Sequence, residues 1–300
     1  MGTLRGEDVD PVPADAVLLR AMTRGDVPQL AALAGEAGRN VAAHDYERFI
    51  ALEGARGFVL ERSGRLVGGA TMMRYFEHGF LGPVVLGRDG DAAGFAIALY
   101  AHLVETLQRE GVHVVEAEAT ANEEAILQRM GFEAVRRTII LERAGEAPAR
   151  SDETRALETR HLLDVGSLDA DAVGYGRKDY LAALARECPE GARVLEQDGE
   201  VVGYALVRRA LRGFHLGPVV TRALDGQLAA TLVRDALAAT EGEPVVVLAT
   251  NDVRALAILE REGFEPVGSL ARMRAGSREA PREASAGSAH EWATGGRITG

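Results

Sequence analysis

Cysteine is all but absent from this sequence: Cys188 stands alone among 300 residues. That excludes an internal disulfide framework and a cysteine-based zinc site, and it fits a reducing, cytoplasmic setting with no metal. No run of 18 apolar residues occurs, and the start lacks a basic-then-apolar signal pattern, so no membrane partner is expected. Positive charge is scarce: 34 Lys and Arg face 45 Asp and Glu, a net charge of −11. A nucleic-acid partner is argued against, whereas a cationic small molecule would suit such a surface. Aromatic residues make up only 5%, with a single Trp in the C-terminal tail. What is present, 47% hydrophobic against 26% charged residues, reads as soluble and globular, and the length suits two domains.

The chain repeats itself. Gly82-Pro83-Val84-Val85 returns as Gly217-Pro218-Val219-Val220, 135 residues later. "RLVGGA" at Arg65 returns as "EVVGYA" at Glu200 with the same offset. Around these phrases one order of elements occurs twice. A hairpin turns at Ser63-Gly64 and again at Asp198-Gly199. A strand with Gly-Pro follows, then a long helix (from about Ala92 to Glu110 in the first half). A buried strand, a short helix ended by Gly-Phe and a closing strand complete each half. In the first half a strand "AVLLRAM" and a helix with Asp26 as cap and Pro28 in its first turn come before the hairpin. The expected division is a flexible start over 1–14, domains over 15–145 and 156–275, a linker over 146–155, and a tail over 276–300. Trp292 would anchor a short last strand in that tail, or have no role.

This order, with "ATANEEAILQRMGFE" and "ATNDVRALAILEREGFE" as its two helix-then-Gly-Phe endings, resembles the GNAT family of acetyl-CoA-dependent N-acyltransferases. The second half is similar to the YitH/HolE-type acetyltransferase domain, through Asp169 to Arg177, Gly217-Pro218, Asn251, Gly263-Phe264 and Arg272-Met273. The resemblance implies an α/β (α+β) fold of two tandem GNAT domains, each a mixed, mostly antiparallel twisted sheet flanked by helices. It also implies acetyl-CoA as cosubstrate, and transfer of the acetyl group to a primary amine of a small molecule or amino-acid-like acceptor. The alternative is a degenerate pair that binds an acyl-CoA or metabolite without turnover.

Candidate site residues follow. A phosphate cradle needs free N–H groups and the positive end of a helix. "GRDGDAAGFA" in the first half offers Arg88, Gly90, Gly94, Phe95 and Ala96, although Asp91 stands where such cradles carry Arg or Gln. "TRALDGQLAA" in the second half has one glycine and no clean match. Val84 and Val85 would present backbone to the pantetheine. Asn251 would bind a CoA arm or cap the next helix. Glu118, with Glu116 on the same strand face, and His215 are the candidate bases. Asp169, Tyr175 and Arg177 are candidate acceptor-binding residues; Arg177 would bind a carboxylate or pair with Asp169 or Asp171. The tyrosine that often serves as acid in this family is replaced by Leu127 and Leu259.

Overall fold

The computed structural model describes residues 16–88, 92–276 and 289–295. Gly90, the start over 1–14 and the closing "RITG" lie outside these. The first half runs β1 (Val17–Ala21), α1 (Val27–Glu36), α2 (Ala43–Ile50), β2 (Ala55–Arg62), β3 (Arg65–Tyr75) and β4 (His78–Leu81). It continues with β5 (Val85–Leu86), α3 (Ala92–Arg109), β6 (Val114–Ala119), α4 (Ala121–Arg129) and β7 (Glu133–Arg143). The second half opens with β8 (Arg155–Ala156), α5 (Leu162–Val173), α6 (Lys178–Glu187), β9 (Arg193–Gln197) and β10 (Glu200–Arg209). It closes with β11 (Phe214–Thr221), α7 (Gly226–Leu237), β12 (Val245–Thr250), α8 (Val253–Arg261), β13 (Glu265–Ala275) and β14 (His290–Ala293).

Both hairpins turn through two residues of positive φ. Ser63 (51°) and Gly64 (76°) join β2 to β3, and Asp198 (52°) and Gly199 (81°) join β9 to β10. Two successive positive φ values match the right-handed twist of the flanking strands, which accounts for a glycine at the second place of each turn. Two local expectations need correction. Asp26 does precede α1, but its carboxylate turns back to Thr23 N–H (2.7 Å), Thr23 Oγ1 (2.8 Å) and Arg20 (2.7 and 2.8 Å) instead of capping that helix. Asn251 is not the cap of α8; Asp252 is, accepting from the Arg254 N–H at 2.8 Å.

Among the described residues the two halves share one sheet of 14 strands, in the order β1-β2-β3-β4-β6-β13-β7-β12-β14-β11-β10-β9-β8, with β5 paired to β3. Its middle is an exchange. The closing strand of the second half, β13, pairs with β6 of the first, and the closing strand of the first, β7, pairs with β12 of the second. The strands β13 and β7 pair with each other along their lengths. Helices α3 and α4 cover one face of the first half, where Leu81, Leu99, Leu103, Ala117 and Leu127 pack. An equivalent core lies under α7 and α8, with Leu216, Leu232, Val247 and Leu259. The opposite face of the first half is covered by α1 and α2, and Tyr175 from the second half joins that cluster.

Candidate functional site

In the first half, β4 runs parallel to β6 only from His78–Leu81 opposite Val114–Ala117. Beyond Leu81 the strands part. A Cβ on Gly82 would fall 2.0 Å from Thr71 Oγ1, so only glycine fits this approach to β3. Pro83 has no N–H with which to continue the ladder. The chain then turns onto β3 as β5, with Val85 opposite Gly69 and Leu86 opposite Gly68. Among the described residues no strand pairs with the other edge of β5. Val84 and Val85 thus lie on one side of an open wedge, and Glu118 is the first residue of β6 past its vertex. Arg88 is exposed on the loop leading to α3. Gly94 and Phe95 are half-buried in the opening turns of that 18-residue helix, whereas Ala96 packs into the core beneath it. The Arg62 guanidinium lies 5.7 Å from the centre of the Phe95 ring.

The second half makes the same wedge and fills it. There β11 and β12 pair in parallel only at Phe214–Leu216 opposite Val245–Val247. The gap beyond holds β14, whose Ala293, Glu291 and His290 lie opposite Val219, Val220 and Thr221 of β11. Ala293 also pairs with Ala249 of β12, and the Thr294 N–H donates to Leu248 O at 2.9 Å. Trp292 is 3% exposed within the core, and its indole N–H donates to Thr221 Oγ1 at 2.8 Å. Asn251 sits exposed at the end of β12, outside the wedge.

A buried polar cluster covers the face of β6 away from α3. Glu116 and Glu118 are 2% and 3% exposed, so they face no solvent. Glu116 accepts from Arg272 at 2.7 Å, from Arg274 at 2.7 Å, and lies 3.1 Å from His78 Nε2. Burial alone would push its pKa up; Arg272, His78 and Arg274 together hold it well below the usual carboxylate range. Glu118 accepts from Thr138 Oγ1 at 2.9 Å and from Arg272 at 3.3 Å. The Arg272 guanidinium lies 4.7 Å from the centre of the Phe80 ring. The Tyr175 ring stacks on His78 (4.3 Å, 21°) and on Tyr75 (5.0 Å, 18°), and burial raises the pKa of its phenol.

Arg177 donates to Asp169 at 2.9 and 3.0 Å and to Glu291 of β14 at 3.2 Å. Its guanidinium therefore serves internal carboxylates, the structural role weighed for it from sequence. The Tyr204 hydroxyl also donates to Asp169. Glu291 meets Arg136 at 3.3 Å; burial pushes its pKa up, and Arg136, Arg177 and Arg272 more than reverse that. Beside this cluster a cleft of about 510 Å³ opens between the β3–β4 turn and the start of α6, lined by Tyr75, Phe76, Arg177, Lys178 and Tyr180 among others.

His215 lies elsewhere. It is 5% exposed, opposite Arg208 on β10, and Arg208 bonds Asp45 of α2 at 2.7 Å. Neither ring nitrogen has a hydrogen-bond partner among the described residues. Burial, then the Arg208 charge, drives its pKa well below the ordinary histidine value. The fold thus brings Glu118 and Tyr175 into one cluster, with Asp169 and Arg177 at its edge, and leaves His215 and Asn251 apart. His78, Thr138 and Arg136 are members that sequence reasoning did not select. His78 and Phe80 alternate on a strand next to Glu116, which is the signal that could have found the first. Among the described residues no group of His, Cys, Asp and Glu could hold a metal, and no helix is long and apolar enough to cross a membrane.

Comparison with known proteins adds the following. Residues 165–286 match the family model of an acetyltransferase (GNAT) domain. No curated protein matches the chain. A candidate acetyltransferase from Pyrococcus horikoshii is similar in structure over 99% of this chain and 100% of its own, with a TM-score of 0.78 at 18% identity. A tandem GNAT protein from the clavulanic acid biosynthesis pathway matches over 88% of this chain and 100% of its own (0.63, 16%). A GCN5-related N-acetyltransferase from Sphaerobacter thermophilus matches over 88% and 96% (0.62, 15%). At these identities the likeness is one of fold, and the fold is that of GNAT acetyltransferases, in a tandem arrangement.

Proposed function

We propose that the chain is an acetyl-CoA-dependent N-acetyltransferase in which the first half holds the cosubstrate. The observation that carries this is the asymmetry of the two wedges: among the described residues the one beside Val84, Val85 and Glu118 has no strand in it, and the other is filled by β14. We read residues 15–145 and 156–275 as duplicated domains, the second of the YitH/HolE type, acting in the cytoplasm on a primary amine of a small molecule or amino-acid-like acceptor.

In this reading the pantetheine pairs with the free edge of β5, and the pyrophosphate meets the N-terminus of α3 near Arg88, Gly94 and Phe95. The acceptor approaches from the Glu118 face. Glu118 takes the proton of the ammonium, and the amine lone pair attacks the thioester carbonyl. The backbone N–H of Val84 stabilises the oxyanion, since that of Val85 is turned toward β3 opposite Gly69, the carbon–sulfur bond breaks, and the thiolate leaves. Leu127, fully buried in the core, supplies no acid. Solvent serves instead, since a thiol of pKa roughly 8.5 is a tolerable leaving group. That same leucine favours the second reading, a binder without turnover.

Calorimetric titration separates these. The intact chain is expected to bind one acetyl-CoA, and Gly94→Glu to weaken binding at least about tenfold by placing a carboxylate against the phosphates. Thiol release with an amine panel is expected for the native chain, reduced roughly 100-fold or more in Glu118→Gln with acetyl-CoA affinity retained. Binding without thiol release from any amine would favour the binder, and no binding at millimolar acetyl-CoA would remove both readings.

A further inference from the structure

The strand β14 does more than finish a sheet edge. It lies between two parallel strands that have already separated, with backbone partners on both: Val219 to Thr221 on β11, and Leu248 and Ala249 on β12. Thr250 Oγ1 adds a bond to Trp292 O at 3.3 Å, and the Tyr180 hydroxyl one to Gly295 O at 2.6 Å. A slot that satisfies an extended chain through amide N–H and C=O groups is chemically suited to any linear, amide-bearing arm. In the first half the equivalent slot is the one assigned above to pantetheine. The rim of the second slot also fits β14 closely. Gly217, at φ +140°, leaves no room for a Cβ, which would fall 2.2 Å from Thr294 O.

We propose that β14 is a resident pseudo-ligand: the chain's own C-terminal strand occupies the second pantetheine-type slot and holds it shut. The slot accepts either this strand or a diamide arm such as that of coenzyme A, never both. The inference rests on the reading of the first wedge as an acyl-CoA slot, and it assigns the second wedge a regulatory role. Glu291, carried by β14, pairs with Arg177 and Arg136. When β14 leaves, both arginines lose that carboxylate, so occupancy of the second slot is felt in the polar cluster beside Glu116 and Glu118.

The only tryptophan of the chain is on this strand, which supplies a reporter. A chain ending at Gly276 has no tryptophan, and a synthetic peptide of residues 289–300 has one. Titrating the peptide into the shortened chain is expected to give a saturable blue shift at one peptide per chain, and free coenzyme A is expected to reverse it. Because the shortened chain lacks part of its core, a second form guards the test. A protease site is placed between Gly276 and His290, and the full chain is folded first and nicked afterwards. Coenzyme A is then expected to release the C-terminal fragment, seen as a red shift of Trp292 and separation by gel filtration. Retention of the fragment at saturating coenzyme A overturns the proposal, as does a peptide-bound shift in the folded short chain that coenzyme A leaves unchanged. Failure of the acetyltransferase reading looks different: the intact chain, β14 in place, binds no acetyl-CoA at all.

Discussion

Arg272 is the residue on which the polar cluster turns. It bonds both Glu116 and Glu118, it stands over Phe80, and it comes from the second half while all three partners belong to the first. A buried carboxylate without a cation is costly, and removing one partner of a buried pair typically costs about 3–5 kcal/mol. Arg272→Met is therefore expected to lower stability by about that much at pH 7. The loss should shrink at pH 5, because Glu116, deprived of its first cation, protonates more readily. Urea unfolding at the two pH values checks this; an equal loss at both would mean that lost packing, not charge, dominates. At this scale the sequence was partly legible. Two glutamates on a strand otherwise made of Val and Ala marked an unusual place, but nothing local revealed that their shared arginine partner lies more than 150 residues away. Tyr175 and Arg177 were identified through the family resemblance, and only the fold shows that Arg177 is consumed by Asp169 and Glu291.

At the scale of elements, the exchange of β7 and β13 has a reason in charge. In register, β13 sets Arg272 and Arg274 opposite Glu118 and Glu116, and β7 sets Ile140 and Glu142 opposite Leu248 and Val246. Were each closing strand to return to its own half, Ile140 and Glu142 would face the two glutamates, and the two arginines would face buried Leu248 and half-buried Val246. One arrangement pairs cations with anions; the other leaves three carboxylates together and strands two arginines in an apolar layer. The two halves are thus mutual supports. Expressed alone, residues 1–150 and 151–300 are expected to self-associate through the exposed edges of β6 and β12, and co-expressed they should co-purify one to one. Two monomeric halves with cooperative unfolding would contradict the charge argument. The repeated hairpins, the long helices and the second Gly-Pro strand were legible, because turn chemistry and periodicity are local; the first Gly-Pro strand, expected to be continuous, breaks at Gly82-Pro83 into β4 and β5. The exchange was not, since both closing strands read alike and their choice of neighbour depends on residues in the other half. Trp292 is the intermediate case: a last strand was considered, but its place inside the wedge is a property of the assembled sheet.

For the molecule as a whole, acid is the informative perturbation, because two sets of buried groups respond in separate windows. His215 has a folded pKa well below its ordinary value, through burial and then Arg208. A group so depressed binds more protons in the unfolded chain, so stability is full above roughly pH 6.5 and falls on acidification, at up to about 1.4 kcal/mol per pH unit. The second set comprises Asp45, Glu116 and Glu291. Burial opposes their ionisation, yet neighbouring arginines (with His78 at Glu116) leave all three depressed. Their contribution is intact above the ordinary carboxylate pKa of roughly 4 and is lost as pH falls through the lower folded values. Much of that contribution is between halves: Arg208 reaches Asp45, Arg272 reaches Glu116, and Arg136 reaches Glu291. Denaturant unfolding across pH is therefore expected to show a plateau near neutrality, a first decline below about 6.5, and a steeper one below about 4. His290, also depressed by burial, adds to the first decline. Phe80 stands in the first half where His215 stands in the second, so His215→Phe is the substitution the duplication itself suggests. It should flatten the profile between about pH 6.5 and 5, leaving the share of His290, while the acid limb stays in place. If the two profiles superimpose over that interval, buried His215 is not what makes the joined halves sensitive to mild acid.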